Sequence, residues 1–167
     1  MIFKSHCKYS HLLEPPPSFK LNGVVLSFVN IFRYLGHVIN DNLDDNADIQ
    51  REIRNIYILA NVLVRRYGKC SCRVKCKLFT SFCLCIYGAA LWCKYLASSK
   101  SAFRSCYHRC IKFFFGYKKF DSVTQILLLL KLPTFDTLLI NAKLSFMHVL
   151  ERCTNVLAHH FALLGLV

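Results

Sequence analysis

The apolar residues Ile49, Ile53, Ile56, Ala60, Leu63 and Tyr67 recur at steps of four and three. That spacing draws a single stripe down a helix. Gln50, Arg51, Arg54, Asn55, Asn61 and Arg65 fall off the stripe, and Gly68 closes it. The segment therefore predicts an amphipathic helix over about residues 47–67 with its isoleucines turned inward. On this reading Ile53 and Ile56 are buried while Arg51 and Arg54 face solvent. The preceding turn, Asp41-Asn42-Leu43-Asp44-Asp45-Asn46, supplies several candidate N-caps.

Upstream of that turn the chain reads as strands and turns. Met1-Ile2-Phe3 is a short apolar run, followed by a polar loop ending in Pro15-Pro16-Pro17, which a helix interior excludes. Phe19-Lys20-Leu21 and Val24-Val25-Leu26 flank Asn22-Gly23, a strong two-residue hairpin signal. Residues 31–39 are β-branched and aromatic and read as a strand, with Gly36 where it bends or meets another backbone. Downstream, four more helices follow. The second spans about residues 72–92, amphipathic at first and then apolar on most sides, as a central bundle helix would be. The third runs over about 99–115 and stops at Gly116, the fourth covers about 122–130, and the fifth begins at Pro133 or Thr134. The fold class is α+β: a small strand unit over residues 1–40, then a mainly helical bundle over residues 41–167.

Composition narrows the function classes. Hydrophobic residues make up 54% of 167, which argues against disorder. The 22 Lys and Arg outnumber the 9 Asp and Glu, giving +13. A surplus of that size favours a polyanionic partner, phosphate backbones first and an anionic membrane face second, against the plainer alternative of a solvated basic surface. The N-terminal residues lack the apolar run of a secretory signal, so an intracellular setting is expected and the ten cysteines should stay reduced. A membrane span needs about 20 apolar residues, and the longest uncharged stretch, residues 78–93, holds only 16.

The cysteines also raise zinc. Cys72 and Cys76, like Cys106 and Cys110, are one helical turn apart, while Cys83 and Cys85 point to different faces. That is helix-interior use of cysteine rather than the paired knuckles of a structural zinc site, so no metal and no cofactor are expected. His159-His160 carries still less weight. No glycine-rich phosphate loop and no nucleophile elbow are present.

The order of motifs goes further than periodicity. Met1-Ile2-Phe3-Lys4, Leu21-Asn22-Gly23-Val24, Phe32-Arg33-Tyr34-Leu35-Gly36-His37, Asp48-Ile49-Gln50-Arg51-Glu52-Ile53-Arg54-Asn55, Val74-Lys75-Cys76-Lys77-Leu78-Phe79 and Tyr87-Gly88-Ala89-Ala90-Leu91-Trp92 follow one another. This series resembles the reverse transcriptases of non-long-terminal-repeat (LINE-type) retrotransposons. The likeness is specific up to Trp92 and looser to about Leu150. It implies that residues 1–40 are the edge of a palm with a primer-grip hairpin at Tyr34-Leu35-Gly36, and that the helices form a thumb.

The same resemblance implies what is missing. The family's polymerase holds two divalent metals on an upstream Asp and an aromatic-Ala-Asp-Asp turn between strands, the carboxylates that two-metal chemistry requires. The acids here are Glu14, Asp41, Asp44, Asp45, Asp48, Glu52, Asp121, Asp136 and Glu151. Their only adjacent pair, Asp44-Asp45, lies downstream of Tyr34-Leu35-Gly36 in a polar turn before a helix, where capping explains it. The expectation is a truncated fragment without polymerase activity and with no catalytic residues. At most it binds primer–template duplex or RNA weakly and without sequence preference.

The resemblance places Tyr34, Leu35 and Gly36 near the primer backbone, with Gly36 permitting close approach, and lets Arg33 and His37 face phosphate. The thumb's cations would be Arg51, Arg54, Arg65, Arg66, Lys69, Arg73, Lys75 and Lys77, holding a duplex by contacts that position without reading sequence. On spacing alone Tyr34 and Leu35 are better read as strand core, and Arg51 and Arg54 serve equally as the wet face of a helix. Two other classes stand beside this: a basic, hydrophobic helical protein acting at a membrane surface or as a partner-binding module, and a small zinc domain. Competition by liposomes and metal analysis would separate them.

Overall fold

In the computed structural model, residues 18–86 and 88–155 are described. The predicted strand at Met1-Ile2-Phe3, the proline loop, Tyr87 and His159-His160 lie outside them. Among the described residues the architecture is α+β: two small antiparallel strand pairs followed by five helices.

The first pair joins β1 (Lys20–Leu21) to β2 (Val24–Val25) through Asn22-Gly23. Both turn residues have positive φ, 49° and 81°. This is the left-handed geometry that matches the twist of a tight hairpin and that Asn and Gly tolerate best. The second pair, β3 (Ile31–Tyr34) and β4 (His37–Asn40), pairs Tyr34 with His37 and Arg33 with Val38. The continuous strand that local chemistry suggests over residues 31–39 is therefore two strands, forming a hairpin at Tyr34-Leu35-Gly36 where the resemblance implies one. Leu35 and Gly36 at φ 46° and 84° form the turn between them. The β-branched residues on both sides hid the turn, because Leu is an unusual residue at positive φ.

Helix α1 (Asn46–Tyr67) follows the predicted stripe. Ile49, Ile53, Ile56, Ala60 and Leu63 are buried, whereas Tyr67 at its end is exposed. Its main neighbour is α3 (Ala97–Phe115), which contributes Phe103, Cys106, Tyr107, Cys110, Ile111 and Phe114 to the same core. Fully burying an aliphatic side chain contributes roughly 1.5–3 kcal/mol, so this two-helix seam is the main anchor of the fold. Phe79 of α2 (Cys72–Cys83) stacks on Phe114 at 6.1 Å between ring centres. Helix α3 stops at Gly116, φ 81°, in the left-handed C-terminal geometry that glycine favours. Helices α4 (Val123–Leu130) and α5 (Phe135–Glu151) complete the bundle. Thr134 caps α5 by accepting the Thr137 N–H at 3.2 Å, and Tyr107 donates its hydroxyl to the Pro133 carbonyl at 2.6 Å.

The expected second helix over residues 72–92 is shorter than its apolar run. It ends at Cys83, and a 3₁₀ turn follows at Ala89–Leu91. Gly88 sits at φ 78°, which no right-handed helix contains. The break turns Trp92 inward, 3% exposed, with its indole N–H donated to Asp48. A tertiary hydrogen bond outweighs local helix propensity here.

Candidate nucleic-acid interface

Strand β4 packs against α1, and Asp48 in the first turn of α1 holds the two together. One oxygen accepts the Val38 backbone N–H at 2.9 Å and the Arg51 Nε–H at 2.6 Å. The other accepts the Trp92 indole N–H at 2.9 Å and lies 3.2 Å from His37 Nδ1. Burial alone would push this carboxyl up. The hydrogen bonds from Arg51, Trp92, Val38 and His37 overcome that and hold it down at about 2. Asp48 is thus a buried anion with donors on every side.

The packing leaves a groove of about 500 Å³ between the second hairpin and α1, lined among others by Ile31, Arg33, Val38, Gln50, Arg51, Arg54, Asn55 and Ile58. Arg33 from β3 and Arg51 and Arg54 from α1 come together here, although 18 residues of chain separate the first two. Their charges are not equally available. Arg51 is half-buried and ion-paired to both Asp48 (2.6 Å) and Glu52 (2.8 Å). The expectation that Arg51 is exposed is therefore corrected: two buried carboxylates beside it on the helix draw its guanidinium inward. Arg54 is exposed, its Nε–H resting on the Gln50 carbonyl at 3.2 Å. Arg33 is exposed and makes no ion pair among the described residues.

Beyond the groove, Arg65, Arg66 and Lys69 lie exposed at the far end of α1, and Arg73 and Lys77 are exposed on α2. Lys75 differs. Its ammonium is 3.4 Å from the Phe114 carbonyl and over the Phe114 ring at 5.5 Å, so it braces α2 on α3. At the hairpin tip Tyr34 is 57% and Leu35 72% exposed. The strand-core reading of these two is set aside: all of β3 is exposed, Ile31 and Phe32 included, so among the described residues no core covers this strand. His37 is instead drawn in to Asp48. On the hairpin's other side, a second cleft of about 440 Å³ runs between the tip and Leu91 and Trp92.

The adjacent acids Asp44 and Asp45 are occupied by backbone and amide donors. Asp44 accepts from the Asn46 N–H and from Asn40, while Asp45 accepts the N–H groups of Cys93 and Lys94, each at 2.8 Å. Asp45 stands at the N-cap position without capping α1 itself. It ties the helix start to the segment after Trp92. Among the described residues, no three of His, Cys, Asp and Glu converge as a metal site. Cys83, Cys106 and Cys110 are free thiols in the core. No single helix among the described residues is long and apolar enough to cross a membrane.

Spacing alone did not single out Asp48, Gly88 and Trp92 as the residues that position the hairpin. One signal was present: Asp48 and Glu52 fall one turn apart beside Ile49 and Ile53, which puts two acids at the buried edge of an apolar stripe. Compared with protein-family models, curated proteins and solved structures, the chain matches none.

Proposed function

We propose that this chain grips the phosphate backbone of duplex nucleic acid without reading its sequence, as a primer-grip hairpin and thumb of the LINE-type reverse transcriptase kind, and that it performs no polymerase chemistry itself. The carrying observation is the shared groove of Arg33 and Arg54, two exposed arginines brought together from a strand and a helix. Arg54, Asn61 and Arg65 recur at steps of seven and four on α1 and so share one helical face. The 11 residues from Arg54 to Arg65 span roughly 16 Å. That matches the axial rise of about five nucleotides of one strand. Such contacts fix a duplex in place but carry no sequence information.

Duplex affinity measured against salt tests this reading. If about four of the exposed cations reach phosphates, log affinity should fall against log salt with a slope near −3 to −4. Replacing Arg33 and Arg54 together by Ala should reduce that slope by about 2 and leave sequence preference unchanged. Arg51→Ala should change it less, since two carboxylates already neutralise that charge. Binding that ignores salt would remove the proposal, because a sequence-tolerant grip has no other large source of affinity.

A second reading has one observation in its favour. Leu128 and Leu129 on α4 and Ile140, Leu144 and Val149 on α5 are more than half exposed, and the two helices form a bent apolar pair. On this reading the chain lies on an anionic membrane surface. Competition separates the two: excess anionic liposomes should leave duplex bound if the first is right and displace it if the second is.

A further inference from the structure

We infer that Asp48 is a positioning residue for the phosphate groove, a buried anion whose removal weakens binding of a polyanion. The inference rests on the proposed backbone grip. Arg33 stands directly across the hairpin from Val38, and the Val38 N–H is the one that Asp48 accepts. Tyr34 and His37, flanking the two-residue turn, form the hydrogen-bonded rung of the ladder. The Arg33–Val38 rung is then the open one, in which the N–H points away from the partner strand. Asp48 fills that outward position and so fixes the rung that carries Arg33 at a set distance from Arg54 on its own helix.

The hairpin is seated from the other side as well. A Cβ built on Gly88 would overlap the His37 ring, so the bare glycine backbone is the bed on which His37 lies while its Nδ1 faces Asp48. Trp92, four residues on, donates to the same carboxylate. Strand, helix and 3₁₀ segment are therefore latched at one side chain, with Arg51 as the countercharge on α1. The charged and titratable groups gathered there are Asp48, His37 and Arg51, with Glu52 behind Arg51 and Tyr34 across the strand from His37.

Simple electrostatics and the latch predict opposite signs for Asp48→Asn. Removing a buried anion and freeing Arg51 should, on charge alone, tighten duplex binding and steepen the salt slope by about 0.9. The latch predicts the reverse: about fivefold weaker binding, the loss of one surface phosphate contact, and a slope shallower by about 0.9. Gly88→Ala, which changes no charge, should do the same by lifting His37. A double-mutant cycle isolates the route. Asp48→Asn should add nothing in an Arg33→Ala background, whereas a general loss of structure would add in full. Trp92, the sole tryptophan, reports the latch without any ligand, and its emission should shift in both variants.

Tighter binding by Asp48→Asn, or additive effects with Arg33→Ala, would overturn the inference. If the native protein binds no duplex, the backbone-grip reading fails separately. The latch is then judged on Trp92 emission alone, and an emission unchanged in both variants overturns it.

Discussion

Acid should undo the joint between the second hairpin and α1 in a predictable window. Asp48 is 3% exposed at its side chain and held near 2, against an ordinary 3.8. At ~1.4 kcal/mol per unit, that difference corresponds to about 2 kcal/mol of folding stability. Because the folded-state value is depressed, the contribution is fully present above about pH 4 and disappears as pH falls through about 2. Asp44 and Asp136 are also lowered, Asp44 by hydrogen bonds that outweigh its burial and Asp136 by Lys100 and Arg104. Comparison with Asp48→Asn cancels their share. The assay is urea unfolding followed by Trp92 emission, at about pH 6 and about pH 2. With a urea dependence of ~1–3 kcal/mol per molar, the pH-dependent part of the gap between native and variant should be roughly 1 M at pH 6. It should shrink toward zero at the acid end. A gap that stays constant across this range would refute the argument, since it would mean Asp48 stabilises by shape rather than by charge.

Other expectations are simpler. Ile56→Ala, at a position 2% exposed in the α1–α3 seam, should cost about 2–5 kcal/mol, read as a lower urea midpoint. Leu35→Asn should stabilise the hairpin by roughly 0.5–1 kcal/mol, because Asn accepts positive φ more readily than Leu; a loss of stability would show that the exposed leucine is held by packing. The chain should incorporate no nucleotide on a primer–template with any divalent metal, and template-dependent incorporation that survives Asp44→Ala would remove the non-catalytic reading.

The helices were legible because burial imposes a period of 3.6, which α1 keeps from Ile49 to Leu63 and α3 from Phe103 to Phe114; α5 was legible from its Thr134 cap and apolar content, since only Phe135 on it is buried. Asn22-Gly23 was legible because a primed turn demands positive φ and those residues supply it. Leu35-Gly36 uses the same geometry with a residue that resists it, so local chemistry pointed to a continuous strand. The second helix misled for a related reason: its apolar run exceeds its helical span because Trp92 bonds to Asp48, 44 residues earlier in the chain, and Gly88 lies against His37. Arg33 and Arg54 were both in view as cations. Their meeting in one groove depends on how β4 docks on α1, through a backbone N–H and a carboxylate that no hydropathy pattern records.

The central claim is that duplex phosphates lie between Arg33 and Arg54. Arginine-directed chemical modification with and without a duplex of mixed sequence, read residue by residue by mass spectrometry, measures this directly. Both Arg33 and Arg54 should be modified in the free protein and protected in the complex, with Arg51 modified slowly in either state. Protection confined to Arg104, Arg109 or Arg152, with Arg33 and Arg54 still reactive in the bound protein, would contradict it.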